Sequence, residues 1–183
     1  DPDAIMLVVP ADHIVKGQRA FDAAVTLAAT LATQDYLVTF GIKPIRPETG
    51  YGYIKPNRNL TLEKQGTLKG HPVSRFVEKP NADKAAQYLK AGDYFWNSGM
   101  FIWRAAAILD EIKRHQSALY RGIERIGQLI QTGASRQAID DAYPRFRERQ
   151  EPMRIREAIE ILRSPDVAAA MELIVTVLRS QRP

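Results

Sequence analysis

Apolar and polar positions alternate between two patterns along the first part of the chain. Ala4 to Pro10 (AIMLVVP) is an unbroken apolar run closed by a proline, the pattern of a strand covered on both faces as in a parallel sheet. From Gly17 to Gln34 the apolar residues Phe21, Val25, Ala28, Leu31 and Ala32 recur at helical spacing. Tyr36 to Ile42 (YLVTFGI) is a second continuous apolar run. Strand, helix, strand in that order predicts a βαβ unit with a right-handed crossover.

The next segments are more broken. Lys43 to Thr49 (KPIRPET) holds two prolines and reads as a loop, followed by a short strand over Tyr51 to Lys55. Asn57 to Gly70 is polar and reads as a hairpin excursion or a loop, and Val73 to Val77 as another strand. Asn81 is placed to N-cap a helix that runs to Ala91 and stops at Gly92. Tyr94 to Trp103 is aromatic-rich and strand-like, interrupted at Asn97-Ser98-Gly99. Helical periodicity then covers Ala105 to His115, Leu119 to Gln131 and Arg136 to Phe146. Met153 to Arg179 reads as two amphipathic helices separated at Ser164-Pro165-Asp166.

Bulk composition narrows the class. In 183 residues, 45% hydrophobic and 26% charged, a sizeable core is affordable and global disorder is excluded. No apolar run is long enough to span a bilayer, and the start (DPDAIMLVVPADH) lacks the basic region of a signal peptide. The absence of cysteine excludes disulfides and thiolate metal sites. Together these point to the cytoplasm, with no membrane partner. The net charge of +5 permits an anionic partner, but the excess lies largely after residue 144, where RFRERQ and RIRE mix both signs. Without aromatic stacking partners or a nucleic-acid motif, that stretch reads as a solvated helical face, and nucleic acid is not an expected partner.

The candidate chemistry lies in Arg75 to Trp103 (RFVEKPNADKAAQYLKAGDYFWNSGMFIW). Glu78-Lys79 stands at a strand end before Pro80, where a bend can turn both side chains to one cavity. Lys79 offers a compact cation for a phosphate, Glu78 an acceptor for two vicinal hydroxyls, and Asn97 both donor and acceptor. Such a set suits a phosphorylated sugar; the competing reading of Glu78-Lys79 is a surface ion pair. Trp96, Phe95 and Phe101 read as core. Gly50 and Gly52 flank Tyr51, and either a positive φ or a close backbone approach would explain them, as would a plain tight turn. Asp12 follows the first apolar run, at the sheet edge where ligands collect in α/β folds. It can hold Mg²⁺, which takes oxygen ligands, or cap the following turn. His13 reads as a hydrogen-bonded structural histidine or as a further ligand.

Four patches, LVVPADH, TFGIKPIRPETGYGYI, RFVEKP and YFWNSGMFIW, occur together and in order. In this combination the chain resembles the mannose-1-phosphate guanylyltransferase family, including the bifunctional enzymes with a phosphomannose isomerase domain. The resemblance covers residues 3 to 146. It implies an α/β, partial Rossmann-like nucleotide-diphospho-sugar transferase fold, with residues 1–146 as a partial nucleotidyltransferase domain and 147–183 as a divergent helical tail. It further implies synthesis of GDP-mannose and pyrophosphate from GTP and mannose-1-phosphate with Mg²⁺, a step that feeds polysaccharide biosynthesis. By resemblance, Asp12 is the metal-binding and catalytic aspartate and Gly52 the glycine beside the sugar. Glu78 and Lys79 hold sugar hydroxyls and sugar phosphate, with Lys79 also catalytic, and Asn97 is the amide at the sugar.

The family's glycine-rich loop that grips the GTP phosphates has no counterpart among these residues, so the chain is expected to be a fragment that turns over little or nothing alone. Ala138 to Tyr143 (AIDDAY) only superficially matches the family's second metal motif, and no role is carried to Asp140. The alternative reading is a non-catalytic sugar-phosphate binding or regulatory module. In a fragment of this kind the Ala4–Pro10 strand would show an unpaired edge, which favours self-association into a homo-oligomer.

Overall fold

The computed structural model describes residues 1–142 and 174–178. In chain order the elements are β1 (Ile5–Val8), α1 (Gln18–Ala32), β2 (Leu37–Ile42), β3 (Tyr53–Pro56), β4 (Glu63–Gln65), β5 (Leu68–Val77), α2 (Ala82–Ala91), β6 (Phe95–Arg104), α3 (Ala105–His115), α4 (Ser117–Gln131), α5 (Arg136–Ala142) and β7 (Ile174–Leu178). This is a mixed α/β fold. One compact unit holds Asp1–Ala107 together with β7, and a second begins at Ile108. No helix among the described residues is long and apolar enough to cross a membrane.

The strand–helix–strand prediction holds for the elements and for the parallel sense of the two strands, but a third strand separates them. β6 lies between β1 and β2 and is antiparallel to both. β1 and β2 therefore run parallel without touching, and the sheet is mostly antiparallel rather than a parallel ladder. β1 is also not buried on both faces. Ile5, Met6, Leu7 and Val8 are 38–44% exposed, and β1 lies at the edge of the sheet with β6 on one side. An apolar run alone cannot separate an edge strand from a central one.

The long β6 organises the rest. Its first residues pair with β3 (Tyr53↔Trp96, Ile54↔Phe95), and its opposite side pairs with β2. β2 pairs antiparallel with β7, β7 parallel with β5, and β5 antiparallel with β3. The pairings thus form a ring, β6–β2–β7–β5–β3–β6. The strand at Ile174–Leu178 corrects the helical reading of those residues: IVTVL is dominated by β-branched side chains that suit a pleated ladder. The remainder of the tail, with Ser164-Pro165-Asp166, lies outside the described residues.

The main core joins α1 to the sheet. Ala24, Leu27, Ala28, Leu31 and Ala32 pack with Val38, Phe40, Met100 and Ile102. Small residues on α1 let the helix approach closely. At Gly70, an added Cβ would come 2.6 Å from Leu31 Cδ1. A second cluster of Tyr53, Ala85, Tyr88, Tyr94 and Trp96 carries α2, with Tyr88 and Tyr94 stacked. α2 starts as predicted: the Asn81 side chain accepts from the Lys84 N–H, and Gly92 ends the helix at φ 71°. The polar stretch Asn57–Gly70 folds as a hairpin, β4 against β5, turning at Gly66 with φ +61°.

Candidate functional site

Three predicted residues from three separate segments converge. A Cβ built on Gly52 would lie 2.7 Å from Glu78 Oε2 and 3.4 Å from Asn97 Cβ. Glycine is needed there for close approach, not for a left-handed backbone, since neither Gly50 nor Gly52 is among the positive-φ glycines. Gly52 also accepts the Asn97 N–H through its carbonyl at 2.7 Å, which ties the two segments directly. Upstream, the buried Tyr53 hydroxyl accepts the Glu48 N–H at 2.9 Å, and Arg46 pairs with Glu48 at 2.8 Å. The RPETG loop is thereby held against β3.

The interruption of the aromatic strand is a bulge. β2 advances two residues, Thr39 to Gly41, while β6 advances four, Phe101 to Asn97. The extra residues are accommodated by Gly99 at φ +72° and by three polar side chains. Ser98 Oγ accepts from Met100 N–H at 3.1 Å. The fully buried Thr39 hydroxyl lies 3.0 Å from Met100 O and 2.7 Å from Asn97 Oδ1, and Gly99 N–H donates to the same Oδ1 at 3.4 Å. Neither Thr39 nor Ser98 is singled out by its type: both are small hydroxyl residues in apolar runs, and only the strand pairing reveals their part.

Glu78 and Lys79 occupy the bend after β5, exposed, with Pro80 buried beneath. They do not form the surface ion pair that competed with the site reading; neither has a side-chain hydrogen bond or ion pair with a described residue. Lys79 adopts φ +41°, a left-handed conformation unusual for a residue with a Cβ. Phe95 and Trp96 are core, as expected, at 1% and 3% exposure.

Asp12 lies in the turn after β1 and is exposed. Its segment reaches the bulge, since a Cβ on Gly99 would meet Pro10 Cγ at 3.4 Å. No side chain caps α1, the helix that follows the Asp12 turn. His13 is exposed and without a hydrogen bond among the described residues, so it is not the structural histidine the sequence suggests. No group of three or more His, Cys, Asp or Glu among the described residues could hold a metal. That donor set does not fit a cation caged by protein. It fits a hard cation that takes one carboxylate here and its other ligands from phosphates and water. Asp140 lies in α5 and pairs with Arg136 at 3.6 Å, consistent with giving it no role.

Residues 1–140 match the family model described as Nucleotidyl transferase. The chain is 50% identical over 117 residues to the xanthan biosynthesis protein XanB of Xanthomonas campestris, covering 64% of this chain and 23% of that protein. It is 42% identical over 125 residues to a mannose-1-phosphate guanylyltransferase of Escherichia coli, covering 68% of this chain and 26% of that one. Among solved structures it is similar to a protein of Thermus thermophilus described as a mannose-1-phosphate geranyltransferase. The TM-score is 0.62 at 28% identity, over 95% of this chain and 44% of that chain. The chain spans about a quarter of the length of the curated relatives it matches.

Proposed function

We propose, since this chain belongs to the nucleotidyl transferase family, that it carries the sugar-phosphate side of a mannose-1-phosphate guanylyltransferase site. The observation that supports this most is the convergence of Gly52, Glu78 and Asn97 on one point. Glu78 accepts from sugar hydroxyls, Asn97 binds a neighbouring oxygen, and the Lys79 ammonium neutralises the sugar phosphate. Gly52 keeps the floor of the site open.

In the proposed reaction an oxygen of mannose-1-phosphate attacks the α-phosphorus of GTP in line. A new P–O bond forms, the α–β phosphoanhydride P–O bond breaks, and pyrophosphate leaves with that electron pair. Chemistry of this kind rests on positioning and charge neutralisation, with no covalent enzyme intermediate. Asp12 would hold Mg²⁺ together with substrate phosphates and water, and the cation would supply neutralising charge to the triphosphate. Lys79 holds the attacking phosphate near the α-phosphorus.

A second reading, a sugar-phosphate binding or regulatory module without turnover, is favoured by the lack, among the described residues, of any group of three or more His, Cys, Asp or Glu that could hold a metal. Calorimetry and a pyrophosphate-release assay separate the two. The guanylyltransferase reading expects mannose-1-phosphate binding that Lys79→Ala weakens, and, in this chain alone, only slow pyrophosphate release with GTP and Mg²⁺ that Lys79→Ala abolishes. Binding without release supports the module. No detectable heat at millimolar mannose-1-phosphate, in a folded sample, refutes both.

A further inference from the structure

We propose that Thr39 is a positioning residue that makes Asn97 a hydrogen-bond donor only, so that Asn97 and Glu78 together select a ligand hydroxyl. The inference rests on the sugar-phosphate reading of the site. A free asparagine offers a donor end and an acceptor end, and a half-turn about its last bond exchanges them. Here the acceptor end is already engaged. Asn97 Oδ1 lies 2.7 Å from the Thr39 hydroxyl and accepts from Gly99 N–H at 3.4 Å. A backbone N–H can only donate, so that contact decides which end of the carboxamide faces the bulge. The Thr39 hydroxyl carries one hydrogen between two acceptors, Asn97 Oδ1 and Met100 O. The two acceptors share that hydrogen, so Asn97 Oδ1 and the strand carbonyl lie on one donor. Thr39 is fully buried, so water does not compete for that hydrogen.

Both hydrogens on Asn97 Nδ2 remain for a ligand, since no described residue accepts them. Across the Gly52 floor, the Glu78 carboxylate can only accept when ionised. A hydroxyl satisfies both at once, accepting from Asn97 and donating to Glu78. A carbonyl oxygen has nothing to give Glu78, and an ammonium has nothing to accept from Asn97. The selectivity thus comes from a residue that does not touch the ligand.

Three forms of the full chain test this: wild type, Thr39→Val, which keeps shape and loses the hydroxyl, and Thr39→Ser, which keeps the hydroxyl. Titration with mannose-1-phosphate is expected to show about tenfold weaker binding for Thr39→Val, the loss of one sheltered hydrogen bond, and wild-type affinity within about twofold for Thr39→Ser. Equal affinity in Thr39→Val and wild type overturns the proposal. The second measurement needs no ligand: hydrogen exchange of the Asn97 side-chain amide by NMR in the wild-type chain. Both Nδ2 hydrogens are expected to exchange freely with water. One protected Nδ2 hydrogen means the amide faces Thr39 the other way round, and the proposal fails. If wild type does not bind mannose-1-phosphate, the site reading fails, while the exchange measurement still decides the role of Thr39.

Discussion

Lys79 offers a test in which stability and binding should move in opposite directions. Its φ of +41° places a Cβ-bearing residue in the left-handed region directly before a proline. That conformation costs about 1–2 kcal/mol for an L-residue, and the following proline narrows the choice further. Lys79→Gly removes the cost and adds about 0.5–1 kcal/mol of unfolded-chain entropy, for a net gain of about 0–1.5 kcal/mol. Lys79→Ala keeps the Cβ and its strain, so its stability should stay within about 0.5 kcal/mol of wild type. Both substitutions remove the ammonium. A charge-assisted hydrogen bond contributes about 1.5–3 kcal/mol, and because Lys79 is exposed the lower end applies. Mannose-1-phosphate affinity should therefore fall about tenfold in each variant. Urea melts and titration calorimetry read the two effects separately. A glycine variant clearly less stable than the alanine variant would refute the strain argument. Unchanged affinity in both would refute the phosphate role.

Four further expectations follow from the packing and the charges. Gly52→Ala drives a Cβ to 2.7 Å from Glu78 Oε2, the end of a flexible side chain, so melts should change little while calorimetry shows weaker sugar-phosphate binding. Gly41→Ala meets Phe95 Cβ at 2.9 Å in the fully packed interior and should cost about 1–3 kcal/mol in urea melts. Leu7→Lys, on the exposed apolar edge strand, should shift the chain toward monomer in sedimentation runs at increasing concentration; a wild-type chain that is already monomeric throughout would contradict the edge argument. The Lys55 ammonium is held above its usual range, chiefly by its hydrogen bond to Asp93. Its contribution is present below the ordinary lysine range and lost as pH rises through the raised value, so Lys55→Met should flatten the alkaline fall in melting temperature.

Local elements were legible wherever one pattern acted alone. α1 and α2 carry their periodicity openly, and Asn81 and Gly92 bracket α2 as their chemistry demands. Pairing was harder to read. Nothing in AIMLVVP distinguishes a covered strand from an edge, and nothing in its spacing to YLVTFGI reveals that β6, which follows much later in the chain, lies between them. The site shows the same division. Gly52, Glu78 and Asn97 could be picked out by residue type and order, and the fold brings them together. Thr39 could not, because its part depends on a register shift opposite a distant strand. Asp12 keeps its place at a strand end, and no group of three or more His, Cys, Asp or Glu that could hold a metal forms among the described residues.

The closing of the strand ring has a consequence for biosynthesis. β2 cannot gain its second neighbour until β7 exists, since Leu37 pairs with Leu178. At a synthesis rate of about 5–20 residues per second, the stretch between them takes on the order of ten seconds to appear. Through that interval the nascent chain can assemble α1, β2 and β6 on the ribosome while one side of β2 and one side of β5 stay unpaired. The edges most in need of a chaperone are then internal to the closed ring, and a chain released before β7 is made would carry them permanently.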